Sequence, residues 1–333
     1  SAWCAQLEGS KDFSKAFMGR HHIPTARYQS FQVNEMEEAA AFLRTLSPPY
    51  VLKADGLAAG KGVIITSSFE DACATLKEMT NGSRFGKAGE VVVIEEFLHG
   101  IELSVFGVSD GKSWKVLASA KDYKRIFDND EGPNTGGMGA ISPVPFADAA
   151  FMEKVAHRIL TPTYDGLVAE GHPYKGFLFV GLMNVDGDPY VIEYNVRMGD
   201  PETEAIFPRL KTSMLDLLEA MADGTLDQME IDLDDRTAAT IFLVSGGYPG
   251  EIEKGKSISL PDQLDEHQWL FHAGTKALDG KIVTNGGRVI AVTSLGSDIS
   301  SALEKSKKLA AVVHFEGKFH RNDIGMDLIR LQS

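Results

Sequence analysis

Cysteine is nearly absent from this chain: Cys4 and Cys73 are the only two in 333 residues. A secreted disulfide framework needs several at short spacings, so both read as reduced thiols of a cytosolic protein. No apolar run approaches the roughly 18 residues of a membrane span, and the opening SAWCAQLEGS has neither a basic n-region nor an apolar h-region. A soluble chain without a visible address is expected, with no membrane partner. Basic charge is also short, since 33 Lys and Arg against 47 Asp and Glu leave a net charge of -14. Nucleic-acid binding needs clustered positive charge to displace counterions from phosphates, so nucleic acid is excluded as a partner. The nine histidines are scattered, and no CxxC or HExxH pattern occurs, which argues against zinc. No Ser/His/Asp or Cys/His arrangement suggests a protein nucleophile. What is present suffices for a folded chain, because 43% apolar and 24% charged residues lie near globular averages and rule out bulk disorder. The length allows two or three domains. Glycine, 33 of 333 residues, exceeds the usual fraction of about 7% and gathers in a few loops.

Along the chain, Ser10 precedes Phe13, Ala16 and Phe17 at helical spacing, and Pro24 closes that segment. Asn34 with Glu37, and Ser68 with Asp71, form capping-box patterns ahead of two amphipathic helices. Between and after them YVLKA, VIIT, VVVIEEF and ELSVFGVSDGKSWKVL read as strands, so residues 49 to 118 are expected to form a compact antiparallel sheet carrying a helix. A polar, glycine- and proline-rich stretch from Asp128 to Pro145 is long enough to suggest a functional loop. A helix interrupted near Pro162, the strands GFLFVGLMNV and PYVIEYNV, and a helix capped by Ser213 and Asp216 follow. From Arg236 a smaller α+β unit is expected, with a hairpin at Asn285-Gly286, the strand RVIAVTS and a last helix over about 297 to 313.

Four segments carry chemistry. In YVLKADGLAAGKGVIIT the P-loop pattern fails, because three residues, not four, separate Gly56 from Gly60, and Gly62 leads into a strand. The alternative is a hairpin loop folding over polyphosphate, with Lys53, Gly60, Lys61 and Gly62 supplying charge and backbone N–H groups. Glu95, Glu96 and Glu102 lie at or just beyond the end of an apolar strand, where carboxylates must meet donors, and a nucleotide offers its amino group and ribose hydroxyls. Along PYVIEYNVRMGDPE alternation puts Ile192, Tyr194 and Val196 on one face and Glu193, Asn195 and Arg197 on the other. Carboxylate plus amide oxygen suits Mg²⁺, while Arg197 with Asp200 can grip an anion. Finally, Asp122, Lys124 and Arg125 precede Asn134, Thr135, Gly136 and Gly137, whose successive N–H groups form a candidate anion nest.

These segments resemble the ATP-grasp enzymes and, within them, the glycinamide ribonucleotide synthetases, or phosphoribosylamine–glycine ligases. The resemblance runs in order through LEGSK, KADGLAAGKGV, VVIEEFLHGIE, DYKR, GPNTGGMGA, VIEYNVRMGDPETE, FHAGT and TNGGRV. It implies an α/β (α+β) ATP-grasp fold with a core over 1–48 and 119–222, a small antiparallel lid over 49–118 and a C-terminal domain over 223–333. Lys11 and Lys53 match the ATP phosphate ligands, Glu95, Glu96, Phe97 and Leu98 the adenine hinge, and Glu102 the ribose ligand. Glu193 and Asn195 match the ligands of Mg²⁺ or Mn²⁺. Asp122, Asn134 to Gly137, Arg197 and Asp200 fall where the family holds glycine and 5-phosphoribosylamine, with Asn134, Arg197 and Asp200 the expected catalytic residues. The implied reaction activates glycine as an acyl phosphate at the expense of ATP, and the amine then attacks it. Two departures accompany the resemblance: family members carry an N-terminal Rossmann-like domain ahead of the point matched by Ser1, so either a fragment or a numbering that starts after missing residues is expected, and Met198 stands where Phe is expected. A fusion to other purine-biosynthesis domains stays open. So do a different ATP-grasp carboxylate–amine ligase and an ATP-binding fragment without turnover.

Overall fold

The chain folds as two compact units, one made of Ser1–Val116, Asp148–Arg197 and Met221–Asp227, the other of Leu117–Ala147, Met198–Ala220 and Gln228–Ser333. The structure, a computed structural model, describes residues 1–56, 62–80 and 89–332.

The first unit holds an antiparallel sheet in the order Tyr28–Gln32, Val91–Glu96, Tyr50–Ala54, Val63–Thr66. Its core gathers Phe31, Leu43, Leu52, Leu76, Met79, Val92 and Ile94, with the helices Met36–Leu43 and Phe69–Thr80 supplying three of them. The sheet expected over 49–118 therefore draws its strands from 28 to 96. Tyr28–Gln32, sequence YQSFQ, buries only Phe31 fully and carries no apolar run to announce it, and Ile101–Asp110 pairs instead with Lys175–Val185. Ser68 caps its helix by accepting from the Asp71 amide at 3.1 Å. The Asn34–Glu37 box does not form: the helix starts at Met36, and the Glu35 carboxylate turns back to accept from the Gln32 amide at 2.7 Å.

A second layer of this unit pairs Asp188–Asn195, Lys175–Val185 and Ile101–Asp110 antiparallel. One element of this unit runs through Ala149–Val155, a π-helical turn at Ala156–Leu160, and Thr161–Ala169. Pro162 comes just after the π-helical turn, and the run continues through it to Ala169 without the expected interruption. The register shifts by one residue, since Gly181 faces Glu193 whereas Leu182 faces Val191. Ile192 is the extra residue of a β-bulge, which puts Val191 and Tyr194 in the core and leaves Ile192 half-buried. Simple alternation places the second face correctly but misassigns Ile192.

In the second unit Gly139–Ser142, Thr237–Val244, Arg288–Gly296 and Gln268–His272 pair antiparallel in that order, with Lys121 and Asp122 adding to Gly139–Ser142. Ile241, Leu243, Val289, Val292, Leu309 and Phe315 fill its core, Leu309 coming from the helix Ile299–Val312. The tight hairpin joins Thr275–Leu278 to Lys281–Thr284 through Asp279 and Gly280, both at positive φ (49° and 73°), the conformation that twists correctly into paired strands. Asn285-Gly286, expected as the hairpin turn, instead carries the chain to Arg288–Gly296, which pairs in another sheet. Glycine is needed there for a different reason: a Cβ on Gly286 would lie 2.9 Å from the Gly274 Cα.

Candidate active site

The helix Lys11–Arg20 begins in a double cap, with Ser10 Oγ accepting from the Phe13 amide at 3.0 Å and Asp55 Oδ1 from the Asp12 amide at 2.7 Å. This fixes Lys11 against the end of the strand Tyr50–Ala54, where its Nζ donates to the Ala54 carbonyl at 2.9 Å. Burial lowers the Lys11 pKa, opposed chiefly by the Glu193 carboxylate, so two residues far apart in sequence share one neighbourhood. Lys53 lies on the same strand, and because Val51 pairs with Glu95, Lys53 and Glu95 project from one face. Lys53 Nζ stands 2.9 Å from Glu95 Oε1, a contact of charge without an aligned hydrogen bond, and Lys15 Nζ stands 2.9 Å from Oε2. Burial alone would raise the Glu95 pKa, but the two ammonium groups hold it below the ordinary carboxylate range.

Glu95 and Glu96, expected on the nucleotide side, each have protein donors as well. Glu96 Oε1 accepts from the Arg27 amide at 2.7 Å, which ties two strands of the sheet. Phe97 and Leu98 follow, half-buried, and Glu102 opens the strand Ile101–Asp110 opposite Met183. Gly62 accepts from the Ala54 amide at 2.8 Å. Gly60 and Lys61 lie outside the described residues.

Glu193 is exposed and Asn195 half-buried on one face of their strand. Gly181 makes room for the carboxylate, since a Cβ there would press on Glu193 Cγ at 3.2 Å. Arg197 donates through Nε to Glu8 Oε1 at 3.0 Å and through Nη2 to Asn195 Oδ1 at 3.1 Å, while Glu8 Oε2 accepts from the Val196 amide at 3.1 Å. The donor chemistry fits Mg²⁺ or Mn²⁺: all oxygen, one charge and one neutral amide. Among the described residues no group of three or more His, Cys, Asp or Glu is arranged to hold a metal ion by itself.

In the second unit, Asp122 ends its strand opposite Ala140, and Lys124 Nζ lies 4.0 Å from Asp122 Oδ2. Arg125–Phe127 pairs with Glu131–Asn134, and Arg125 Nη1 donates to the Gly132 carbonyl at 2.6 Å. The expected anion nest is not formed, because three of its amides already have acceptors. Thr135 N donates to the Lys124 carbonyl at 2.7 Å, Gly136 N to Tyr248 Oη at 3.0 Å and Gly137 N to Thr135 Oγ1 at 3.0 Å. Asn134 stays exposed. The hairpin is anchored by Arg321, 1% exposed, whose guanidinium reaches the Arg125 carbonyl at 3.0 Å, Asp130 at 2.8 Å and Asp323 at 2.8 Å.

Asp200 and Arg197 were expected to act as one grip. They fall in different units, and Asp200 instead pairs through both oxygens with Arg288, which also donates to the Gly136 carbonyl at 2.7 Å. Arg288, Lys15, Glu8 and Tyr248 are the residues that sequence reasoning missed. For Arg288 a signal existed, a lone guanidinium behind two glycines at the entrance of an apolar strand. Glu204 stands near this pair. Burial, then Asp200, push its pKa up to about 7 against Arg288, and its Oε2 is buried without a hydrogen-bond partner. A carboxyl whose folded pKa is raised adds stability that is lost as pH rises through that value. Stability to melting should therefore fall between about pH 4.5 and 7, by at most about 3 kcal/mol for this group, and Glu204→Gln should remove that part of the slope. An unchanged slope in E204Q would overturn the assignment.

Residues 9–203 match the phosphoribosylglycinamide synthetase ATP-grasp (A) domain and residues 238–327 the C domain of the same family. The chain belongs to the phosphoribosylglycinamide synthetase family. Phosphoribosylamine–glycine ligase of Vibrio vulnificus is 49% identical over 323 residues, 96% of this chain and 75% of that protein. A bifunctional purine biosynthetic protein of Pichia angusta is 46% identical over 97% of this chain and 41% of its own length. The crystal structure of phosphoribosylamine–glycine ligase from Thermotoga maritima superposes with a TM-score of 0.88 at 41% identity, covering 96% of this chain and 79% of that one. The biotin carboxylase domain of Hydrogenobacter thermophilus 2-oxoglutarate carboxylase, at 15% identity, covers 98% of this chain and 70% of its own with a TM-score of 0.72 and shares the ATP-grasp fold. No described helix of this family member is long and apolar enough to cross a membrane.

Proposed function

We propose that this chain ligates glycine to 5-phosphoribosylamine with ATP, through glycyl phosphate, giving glycinamide ribonucleotide, ADP and phosphate. The observation that carries this reading is the family match over both the ATP-grasp and C domains, joined to two clusters of charged side chains of the right chemistry. The family uses ATP and a divalent metal ion. On this reading Lys11, Lys53, Gly60, Lys61 and Gly62 take the phosphates, Glu95, Glu96, Phe97, Leu98 and Glu102 face the nucleoside, and the Tyr28–Glu96 sheet covers it. Glu193 and Asn195 would hold Mg²⁺ or Mn²⁺. When bound, that ion offsets charge on the polyphosphate as a carboxylate approaches it.

Glycine's carboxylate oxygen attacks the γ-phosphorus, and the bond to ADP breaks. The phosphoribosylamine nitrogen then attacks the acyl carbon, and phosphate leaves with the glycine oxygen. No protein nucleophile is required. The work falls to preorganised charge, which needs no reorganisation as the transition state forms. Arg197 can trade Glu8 and Asn195 for an anionic substrate group, and Arg288 can trade Asp200, so each guanidinium waits in a charge pair of its own unit. Asp122, Lys124, Arg125, Asn134, Thr135, Gly136, Gly137 and Asp200 supply the second unit's substrate contacts, through side chains and carbonyls where the amides are taken.

Glycine labelled with ¹⁸O in its carboxylate tests the order of steps. One label should appear in the released phosphate, only when ATP and 5-phosphoribosylamine are both present. Unlabelled phosphate would rule out the acyl phosphate, and equal turnover with another carboxylic acid would favour a different carboxylate–amine ligase.

A further inference from the structure

We propose that Lys15 is a positioning residue of the nucleotide site, holding one oxygen of the buried Glu95 carboxylate so that Lys53, on the other oxygen, remains a cation available to the ATP phosphates. This rests on the reading of Lys53 as a phosphate ligand.

Lys15 is 2% exposed, Glu95 3% and Lys53 6%, and two ammonium groups share one carboxylate at 2.9 Å each. The group of three carries a net charge of +1 in a place where charge is costly unless it is matched. Remove the charge on Lys15, and Glu95 and Lys53 become a closed neutral pair, with the carboxylate free to swing wholly onto Lys53. A polyphosphate would then meet an ammonium already spent on a neighbour. Lys15 also stands one helical turn beyond Lys11, on the same side of the helix. Its Nζ donates to Thr25 Oγ1 at 2.7 Å, and Thr25 donates in turn to the Val191 carbonyl at 2.6 Å. One buried ammonium thus links the helix of Lys11, the strands of Lys53 and Glu95, and the strand of Glu193 and Asn195.

The charged groups facing Lys15 are Glu95 and Glu96 from Val91–Glu96 and Lys53 from Tyr50–Ala54, with the Tyr28 ring 5.5 Å away. From the other elements packed on this helix, Glu8 is engaged with Arg197 and Glu193 acts on Lys11. Burial, countered by Glu95 and reinforced by Lys53, pushes Lys15 down to about 8, so a modest rise in pH removes its charge. The sign is favourable: the folded chain gives up this proton before the unfolded one, so this group's contribution to stability rises above about pH 8.

The test is ATP affinity by calorimetry from pH 7 to 9.5 on the wild type, Lys15→Arg, Lys15→Met and Lys53→Met, with thermal melting beside it. Wild-type affinity should fall as pH passes about 8 while melting does not. Lys15→Arg should flatten that dependence, and Lys15→Met should bind about tenfold to a hundredfold more weakly at pH 7, with the KM for glycine unmoved. Wild-type affinity level across the range, an inflection surviving in Lys15→Arg, or a folded Lys15→Met binding ATP normally would each overturn the proposal. Should Lys15→Met not fold, the wild-type and Lys15→Arg profiles decide. If Lys53→Met binds ATP normally, the phosphate-ligand reading fails as well; if it alone weakens binding, only the role of Lys15 is lost.

Discussion

Glu193→Ala or Asn195→Ala is expected to leave the fold intact and lower turnover by about a hundredfold or more. Glu193 is exposed and Asn195 half-buried, on the strand face away from buried Tyr194, so neither supports the core. Each variant removes one of the two oxygen donors proposed for the ion. Asn195→Ala also deprives Arg197 Nη2 of an acceptor, but Glu8 still holds Nε. The measurement is the initial rate of phosphate release at saturating ATP and metal, with melting temperature beside it and ATP binding compared with and without a chelator. A near wild-type rate in either variant would end the metal assignment, and a large drop in melting temperature would show that the strand, not the ion, had been damaged.

The second large effect falls on the other unit. Gly137→Ala is expected to lower turnover by about a hundredfold while ATP binding stays within about twofold of the wild type. Gly137 sits at φ +114°, and a Cβ there would lie 2.3 Å from Pro201 Cδ. An L side chain is disfavoured at that φ, and the ring cannot yield as a flexible side chain would. The strain must be relieved by moving either the Asn134–Gly137 turn or the Asp200–Pro201 step, and both carry proposed substrate contacts. Relief would also disturb Arg288, which bridges the Gly136 carbonyl and Asp200. Steady-state kinetics with ATP, glycine and 5-phosphoribosylamine varied in turn will locate the loss. Unchanged kinetics would mean the turn has slack, and weakened ATP binding would mean that the nucleotide and substrate roles are wrongly divided between the units.

By itself the sequence determined the residues that carry chemistry and most of the elements that bear them. Ser10 and Ser68 mark helix starts because a side-chain cap is a local hydrogen bond. The face of Glu193 and Asn195 follows from strand alternation, and the mismatch to a P-loop is plain in the order of residues. Family motifs are likewise linear, so they survive without any knowledge of packing. Contacts between distant segments were decided only by the tertiary structure. Glu95 looks like an acid awaiting a ligand until Lys15, 80 positions away, is found beside it. The amides of the Asn134–Gly137 turn look vacant until Tyr248 and the Lys124 carbonyl are seen to use two of them. Arg197 and Asp200, three residues apart, take different partners in different units, because the chain leaves one unit at Arg197 and enters the other at Met198. Even the bulge at Ile192 depends on the partner strand, since register belongs to a pair and not to either strand alone. Local preference sets what a segment can offer, but every buried charge must be matched, and which partner matches it is settled by the fold.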